Sequence, residues 1–258
     1  MDHSGVLALF DRDMREGARP DGPDAAIERV GKVVRQIAPA HGWNGVLWSD
    51  LDESTADAAI ARQIADFTAL GREFEWKIYG HDLPVDLGHR LAAAGFTPDP
   101  EETLMVGGVD DLTLDAEPPE GIRIVPVTDE PGVDLVAEVH ELAFGTDSAR
   151  LRQRMLAQLK ADPDSVVAVL ALAGDQPVSA ARLELMPGTR FAGLWGGGTV
   201  ESFRGRGIYR ALVAHRARVA VASGYRYLQV DAGAQSRPVL ERLGFQPLTP
   251  TTPYVYVP

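Results

Sequence analysis

The stretch TVESFRGRGIYRALVAHRA, Thr199 to Ala217, decides how this chain is read. Val200 ends a strand, and Ile208, Ala211, Leu212, His215 and Val219 follow at helical spacing. Arg204, Gly205, Arg206 and Gly207 therefore occupy the turn from a strand into a helix. Glycines at such a turn let successive N–H groups point into one concavity with no Cβ in the way. The first N–H groups of a helix lack an internal partner, and the helix dipole adds partial positive charge there. Phosphate is the natural guest of such a turn, and Arg204 and Arg206 add charge for it.

Outward from the turn, the sequence spells a mixed α/β unit. IRIVPV (Ile122 to Val127) alternates as a strand does, and two amphipathic helices follow, EPGVDLVAEVHELAF (Glu130 to Phe144) and SARLRQRMLAQLKA (Ser148 to Ala161). VVAVLALA (Val166 to Ala173) opens a run of three strands joined by the turns GDQP and PGT. Beyond the quoted helix come the strand YRYLQVD (Tyr225 to Asp231), the short helix SRPVLERLGF stopped at Gly244, and the closing strand PYVYV.

The chain has 258 residues, 45% hydrophobic and 24% charged, as in an ordinary globular protein of one large or two modest domains. It has no cysteine, which excludes disulfides, thiolate metal sites and cysteine nucleophiles. The six histidines show no i, i+4 pairing on one helix, so no metal site is expected. No apolar run approaches the ~18 residues of a membrane span, and MDHSGVLALFDRD has no basic region before its short apolar stretch. The expectation is a cytoplasmic protein without membrane attachment. A net charge of −12 opposes nucleic-acid binding, which needs phosphate neutralisation by basic residues.

Sliding the chain so that Trp76 falls on Tyr225 exposes a repeat. WKIYGHD then lies on YRYLQVD, Gly95-Phe96-Thr97-Pro98 on Gly244-Phe245-Gln246-Pro247, and Thr103 and Val106 on Thr252 and Val255. This marks two related domains, residues 1–115 and 116–258, joined at the linker DAEPPEG. STADAAI falls on FRGRGIY, so the first copy has neither glycines nor arginines at its turn. It is expected to be a degenerate copy with its own core around Trp76, Ile78, Leu91 and Phe96.

The strand and helix order of Gly121 to Pro258, the V-x-x-x-R-G-x-G-I turn and the late L-G-F resemble the GNAT superfamily of N-acetyltransferases. The resemblance implies a fold of two tandem α/β domains, each a mixed central sheet flanked by helices. It also implies acetyl-CoA, or another acyl-CoA, as cosubstrate. Its pyrophosphate would lie on the N–H groups of Arg204, Gly205, Arg206, Gly207, Ile208 and Tyr209, and its pantetheine arm would pair with Gly198, Thr199 and Val200 as a strand does. This chain departs from the family pattern in four places. Ser202 replaces a glutamine or arginine, Tyr209 a small residue, Leu240 the frequent catalytic tyrosine, and Gly233 the asparagine seven residues earlier.

The function this implies is acyl transfer from acyl-CoA to a small-molecule or peptide amine by direct attack. The rival is a noncatalytic acyl-CoA-binding or sensing module that has lost its acid. For the base, Glu184 and Asp231 border the expected cofactor strand; for the acid, Tyr209 or Tyr254 is available, or the thiolate leaves unaided. Trp195 is expected to line the acceptor pocket.

Overall fold

The computed structural model describes all 258 residues and divides them into two compact units. The first unites Met1–Leu104, Asp231–Ala234 and Pro247–Pro258; the second unites Met105–Val230 and Gln235–Gln246. Neither unit is one stretch of chain, and sequence from both sides of the Asp115–Gly121 linker contributes to each. No helix is long and apolar enough to cross a membrane.

The first unit begins with α1 (His3–Phe10), which runs into a π-helical turn at Asp11–Glu16. Then follow β1 (Ala26–Val30), β2 (Val33–Ile37), β3 (Gly45–Ser49), α2 (Ala56–Ala69), β4 (Phe74–Tyr79), α3 (Leu87–Ala93), β5 (Thr97–Pro98) and the opening of β6 (Glu102–Gly108). The β1–β2 and β2–β3 pairs are antiparallel and the β3–β4 pair is parallel. The last strand of the chain, β12 (Gln246–Tyr256), lays Thr251–Tyr256 antiparallel along β4. Phe67 stacks on Phe74 at 4.1 Å between ring centroids, and Trp76, Leu91 and Phe96 are buried with them, with Ile78 packed at the margin. Such an aromatic pair adds about 0.5–1.5 kcal/mol beyond the area it buries. The expected core of the first half is therefore present.

Arg15 fastens the π-helical turn to the sheet. It is 3% exposed, donates from Nη2 to both carboxylate oxygens of Asp82, donates to Asp11 and to the Leu47 oxygen, and lies 4.0 Å above the Tyr79 ring centroid.

The second unit is built from β7 (Ile122–Val127), α4 (Glu130–Phe144), α5 (Ala149–Ala161), β8 (Val166–Ala173), β9 (Gln176–Leu185), β10 (Phe191–Thr199), α6 (Ile208–Ala222), most of β11 (Tyr227–Ala232) and α7 (Arg237–Arg242). Its strands lie in the order β11-β10-β9-β8-β7, antiparallel except for β10–β11. This is the element order read from the sequence. Asp129 caps α4 by accepting from the Gly132 N–H, and Gly145 ends the helix with φ 72°. The two sheet faces are filled separately: Ala180 packs with Val133, Val136 and Val139 of α4, and the adjacent Ala181 with Ile208 and Leu212 of α6.

Two local readings need correction. β10 ends at Thr199, not Val200, and a 3₁₀ turn at Glu201–Phe203 precedes the glycines. The repeat also needs a gap. Leu87, which opens α3, has Ser236, the cap of α7, as its counterpart. Phe74, which opens β4, falls instead on Ser223 at the end of α6, and β11 starts only at Tyr227. The first copy has a longer connection between its strand and its short helix, and a fixed shift cannot absorb it.

Candidate active site

The turn before α6 has the backbone that its glycines foretold. Gly205 has φ 74° and Gly207, the N-cap of α6, φ 85°, a region that costs other residues about 1–2 kcal/mol. No atom lies within 4 Å of where a Cβ on Gly205 would stand, and no side chain caps the helix. The first N–H groups of α6, from Ile208 and Tyr209 onward, are thus left uncapped at the positive end of the helix, next to the open space at Gly205. This is a cradle that fits a phosphate.

The arginines of the turn are partly engaged in the protein's own structure. Arg204 donates from Nε to the Thr199 oxygen at 3.0 Å and from Nη2 to the Ala143 oxygen at 2.9 Å. Arg206 donates to the Ser202 oxygen and lies 4.8 Å above the Phe203 ring centroid. Both remain exposed, so their charge still adds to the field at the cradle.

The corresponding turn of the first unit is filled from within. Asp52 accepts from the N–H groups of Ser54 and Thr55 and from both their hydroxyls. Those hydrogen bonds hold its carboxyl below the usual carboxylate range.

β10 pairs with β11 only over Phe191–Gly193, so one edge of β10 is unpaired by β11 beyond that point. Its other edge stays on β9, with a bulge between Trp195 and Gly198 where Gly196 adopts φ 58°. Val200 donates its N–H to the Val178 oxygen on β9, so Val200 and, two residues back, Gly198 turn their main-chain groups toward β9. The Gly198 oxygen also accepts from Ser179 Oγ at 2.6 Å. Of the three strand residues expected to pair with pantetheine, Thr199 alone faces the unpaired edge, and its oxygen is held by Arg204.

The expected catalytic residues are spread out. Glu184 Oε1 accepts from Arg182 Nε at 3.0 Å. Asp231 belongs to the first unit, where its Oδ2 accepts from Lys77 Nζ at 2.6 Å and its buried Oδ1 has no partner. Burial opposes charge on Lys77, but Asp231 beside it holds the amine protonated, well above the usual lysine range. Tyr209 is tucked against Gly197, and burial pushes its hydroxyl up, so it stays protonated at neutral pH. Trp195 folds its indole back over Gly193. Leu240, at the position of the family's tyrosine, is fully buried.

Two residues that the sequence did not single out come to the bulge. Arg216 is 1% exposed and donates to the main-chain oxygens of Leu212 and Arg182, with Nη2 beside Gly197. Burial lowers its pKa to about 10. His140, on the last turns of α4, borders a small cleft with Phe144, Leu151, Arg182, Gly196 and Gly198. Its buried Nδ1 has no partner. Burial and then the nearby Arg182 charge push His140 below the ordinary histidine value, with Glu141 opposing.

Residues 134–245 match the model of the Acetyltransferase (GNAT) family. No curated protein is significantly similar in sequence. Among solved structures, a GCN5-related N-acetyltransferase from Kribbella flavida superposes with a TM-score of 0.70 at 18% identity, covering 98% of this chain and 93% of that one. A tandem GNAT protein from the clavulanic acid biosynthesis pathway gives 0.66 at 14% identity, with 98% and 93% covered. A GCN5-related N-acetyltransferase from Sphaerobacter thermophilus gives 0.59 at 18%, with 89% and 82% covered. At these identities the likeness is one of fold, and it extends over nearly the whole chain. Residues 134–245 thus carry the match to the GNAT acetyltransferase family, within a fold shared over nearly the whole chain with a tandem GNAT protein.

Proposed function

We propose that this protein is an acyl-CoA-dependent N-acyltransferase that moves acetyl from acetyl-CoA to a primary amine. The observation that carries the reading is the open glycine turn at Gly205 and Gly207, lying inside the GNAT-family segment. The N–H groups of this turn would hold the pyrophosphate, with the Arg204 and Arg206 charges beside it. The unpaired edge of β10 would receive the pantetheine arm and bring the thioester toward the bulge at Trp195–Gly198. Holding the thioester and the amine together supplies most of the rate advantage, since orientation removes the entropy cost of their encounter. The amine attacks the carbonyl carbon directly, the C–N bond forms, the C–S bond breaks, and CoA leaves as thiolate or, with Tyr209 as donor, as thiol.

The rival reading, a noncatalytic acyl-CoA-binding module, draws on Leu240, which places no hydroxyl where the family often has its acid. One experiment separates them: CoA release from acetyl-CoA with a panel of primary amines, followed by a thiol reagent, beside acetyl-CoA binding by calorimetry. Amine-dependent CoA release supports the transferase. Binding without release from any amine supports the module, and the absence of binding overturns both.

A further inference from the structure

We propose that His140 is the general base of the transfer, taking the proton of the acceptor ammonium at the cleft between α4, α5, β9 and the β10 bulge. The assignment rests on the amine-transfer reading above and names a residue for it. Three observations converge on His140. Its ring borders the cleft beside Gly196 and Gly198, the part of β10 toward which the thioester is expected to run. Its Nδ1 is buried with no hydrogen bond, although nearly every buried polar atom in a folded protein finds a partner. The two carboxylates that bordered the cofactor strand in sequence are already engaged, Glu184 by Arg182 and Asp231 by Lys77.

The surroundings keep the imidazole ready to accept. Val136, Val139, Leu151 and Phe144 give the cleft apolar walls, and Phe144 stands 4.8 Å from His140 between ring centroids. Arg182 on β9 disfavours the imidazolium, and Glu141 on α4 favours it; burial and Arg182 prevail, so the ring is neutral at pH 7. The proton balance closes without a further reagent. The ammonium gives one proton to His140, and the free amine attacks. The second nitrogen proton passes to the departing thiolate, and His140 returns its proton to solvent.

The test measures kcat and KM against pH for the wild type and His140→Gln, using the best amine of the panel and saturating acetyl-CoA. An NMR titration of the His140 ring in the wild type accompanies it. His140→Gln is expected to lower kcat by about 10²-fold or more, with acetyl-CoA affinity unchanged. The acidic limb of the wild-type kcat/KM profile should coincide with the NMR pKa of His140 and vanish in the variant, with added imidazole restoring part of the rate to His140→Gly. A wild-type limb that does not follow the NMR titration overturns the assignment even if the variants fail to fold. Wild-type turnover in a folded His140→Gln overturns it as well, while leaving the transferase reading intact. A wild type inert toward every amine overturns both.

Discussion

Arg216 on α6 donates from Nη1 to the main-chain oxygen of Arg182 on β9 at 2.9 Å and from Nε to that of Leu212, so a fully buried guanidinium is tied to two carbonyls and to no carboxylate. Its pKa falls from 12.5 to about 10 because burial penalises the charged form. The folded pKa lies below the unfolded one, so the cation weighs against folding at neutral pH and the penalty is relieved only as pH rises through about 10. Arg216→Met keeps most of the volume and removes the charge. It should melt no lower than the wild type by calorimetry, whereas Arg216→Ala, which leaves a cavity, should melt lower. A Met variant as unstable as the Ala variant would show that the two carbonyl hydrogen bonds outweigh desolvation.

Arg216 also shows where sequence reading stopped. Helical spacing marked Ile208, Ala211, Leu212, His215 and Val219 as the inner face, but the buried set is Ile208, Ala211, Leu212, Val213, Ala214, Arg216, Ala217 and Ala220. A helix covered on more than one side has no single apolar stripe, and a buried arginine reads as solvent-facing in any hydropathy pattern. The backbone of the cradle was legible, because Gly205 and Gly207 leave few other conformations open to that turn. The cleft was not: His140 looks like any histidine in an amphipathic helix, and its nearness to Gly196 and Gly198 depends on the crossing of α4 over the bulge. The pairing of Asp231 was equally hidden, since Lys77 lies far from it in sequence.

Gly205 and Gly207 should control acetyl-CoA affinity. Valine at either position meets a strained positive φ and sets a β-branched side chain into the concavity. Each variant should lose at least about tenfold in affinity by calorimetry, which corresponds to about 1.4 kcal/mol. Arg206→Ala should weaken binding less, because an exposed charge is screened by solvent. Gly205→Val or Gly207→Val with wild-type affinity would remove the cradle from the binding site.

Acetyl-CoA should bind once per chain. The turn of the first unit has no glycine, and the Asp52 carboxylate already takes the Ser54 and Thr55 N–H groups that a phosphate would need. Its negative charge would also repel a pyrophosphate. Calorimetric titration is therefore expected to give a stoichiometry of one, and this value should persist in Asp52→Asn, whose amide oxygen can still accept from both N–H groups. A stoichiometry of two in the wild type would mean that the first unit binds by a different arrangement.

The interleaved chain makes a definite prediction about fragments. A cut at the linker, giving residues 116–258, removes β4, β5 and β6 but keeps β12. Thr251–Tyr256 of β12 then lose β4, and Tyr254 and Val255 lose β5. Tyr256 also loses Phe74 and Phe96, whose ring centroids lie 5.8 and 5.2 Å from its own. An apolar strand with unpaired N–H and C=O groups is a template for pairing with other chains. Residues 116–258 should therefore aggregate or associate at micromolar concentration, although they contain the whole glycine turn. A fragment spanning 105–246 keeps the strands β7 to β11 and omits most of β12, so it should be the more soluble of the two by size-exclusion chromatography. It should also retain measurable acetyl-CoA binding, because Arg204 to Tyr209 and the helix they open lie wholly within it. If 116–258 is instead the soluble monomer and 105–246 the aggregate, then β12 is stable without β4, and the assignment of Pro247–Pro258 to the first unit does not describe how the chain folds.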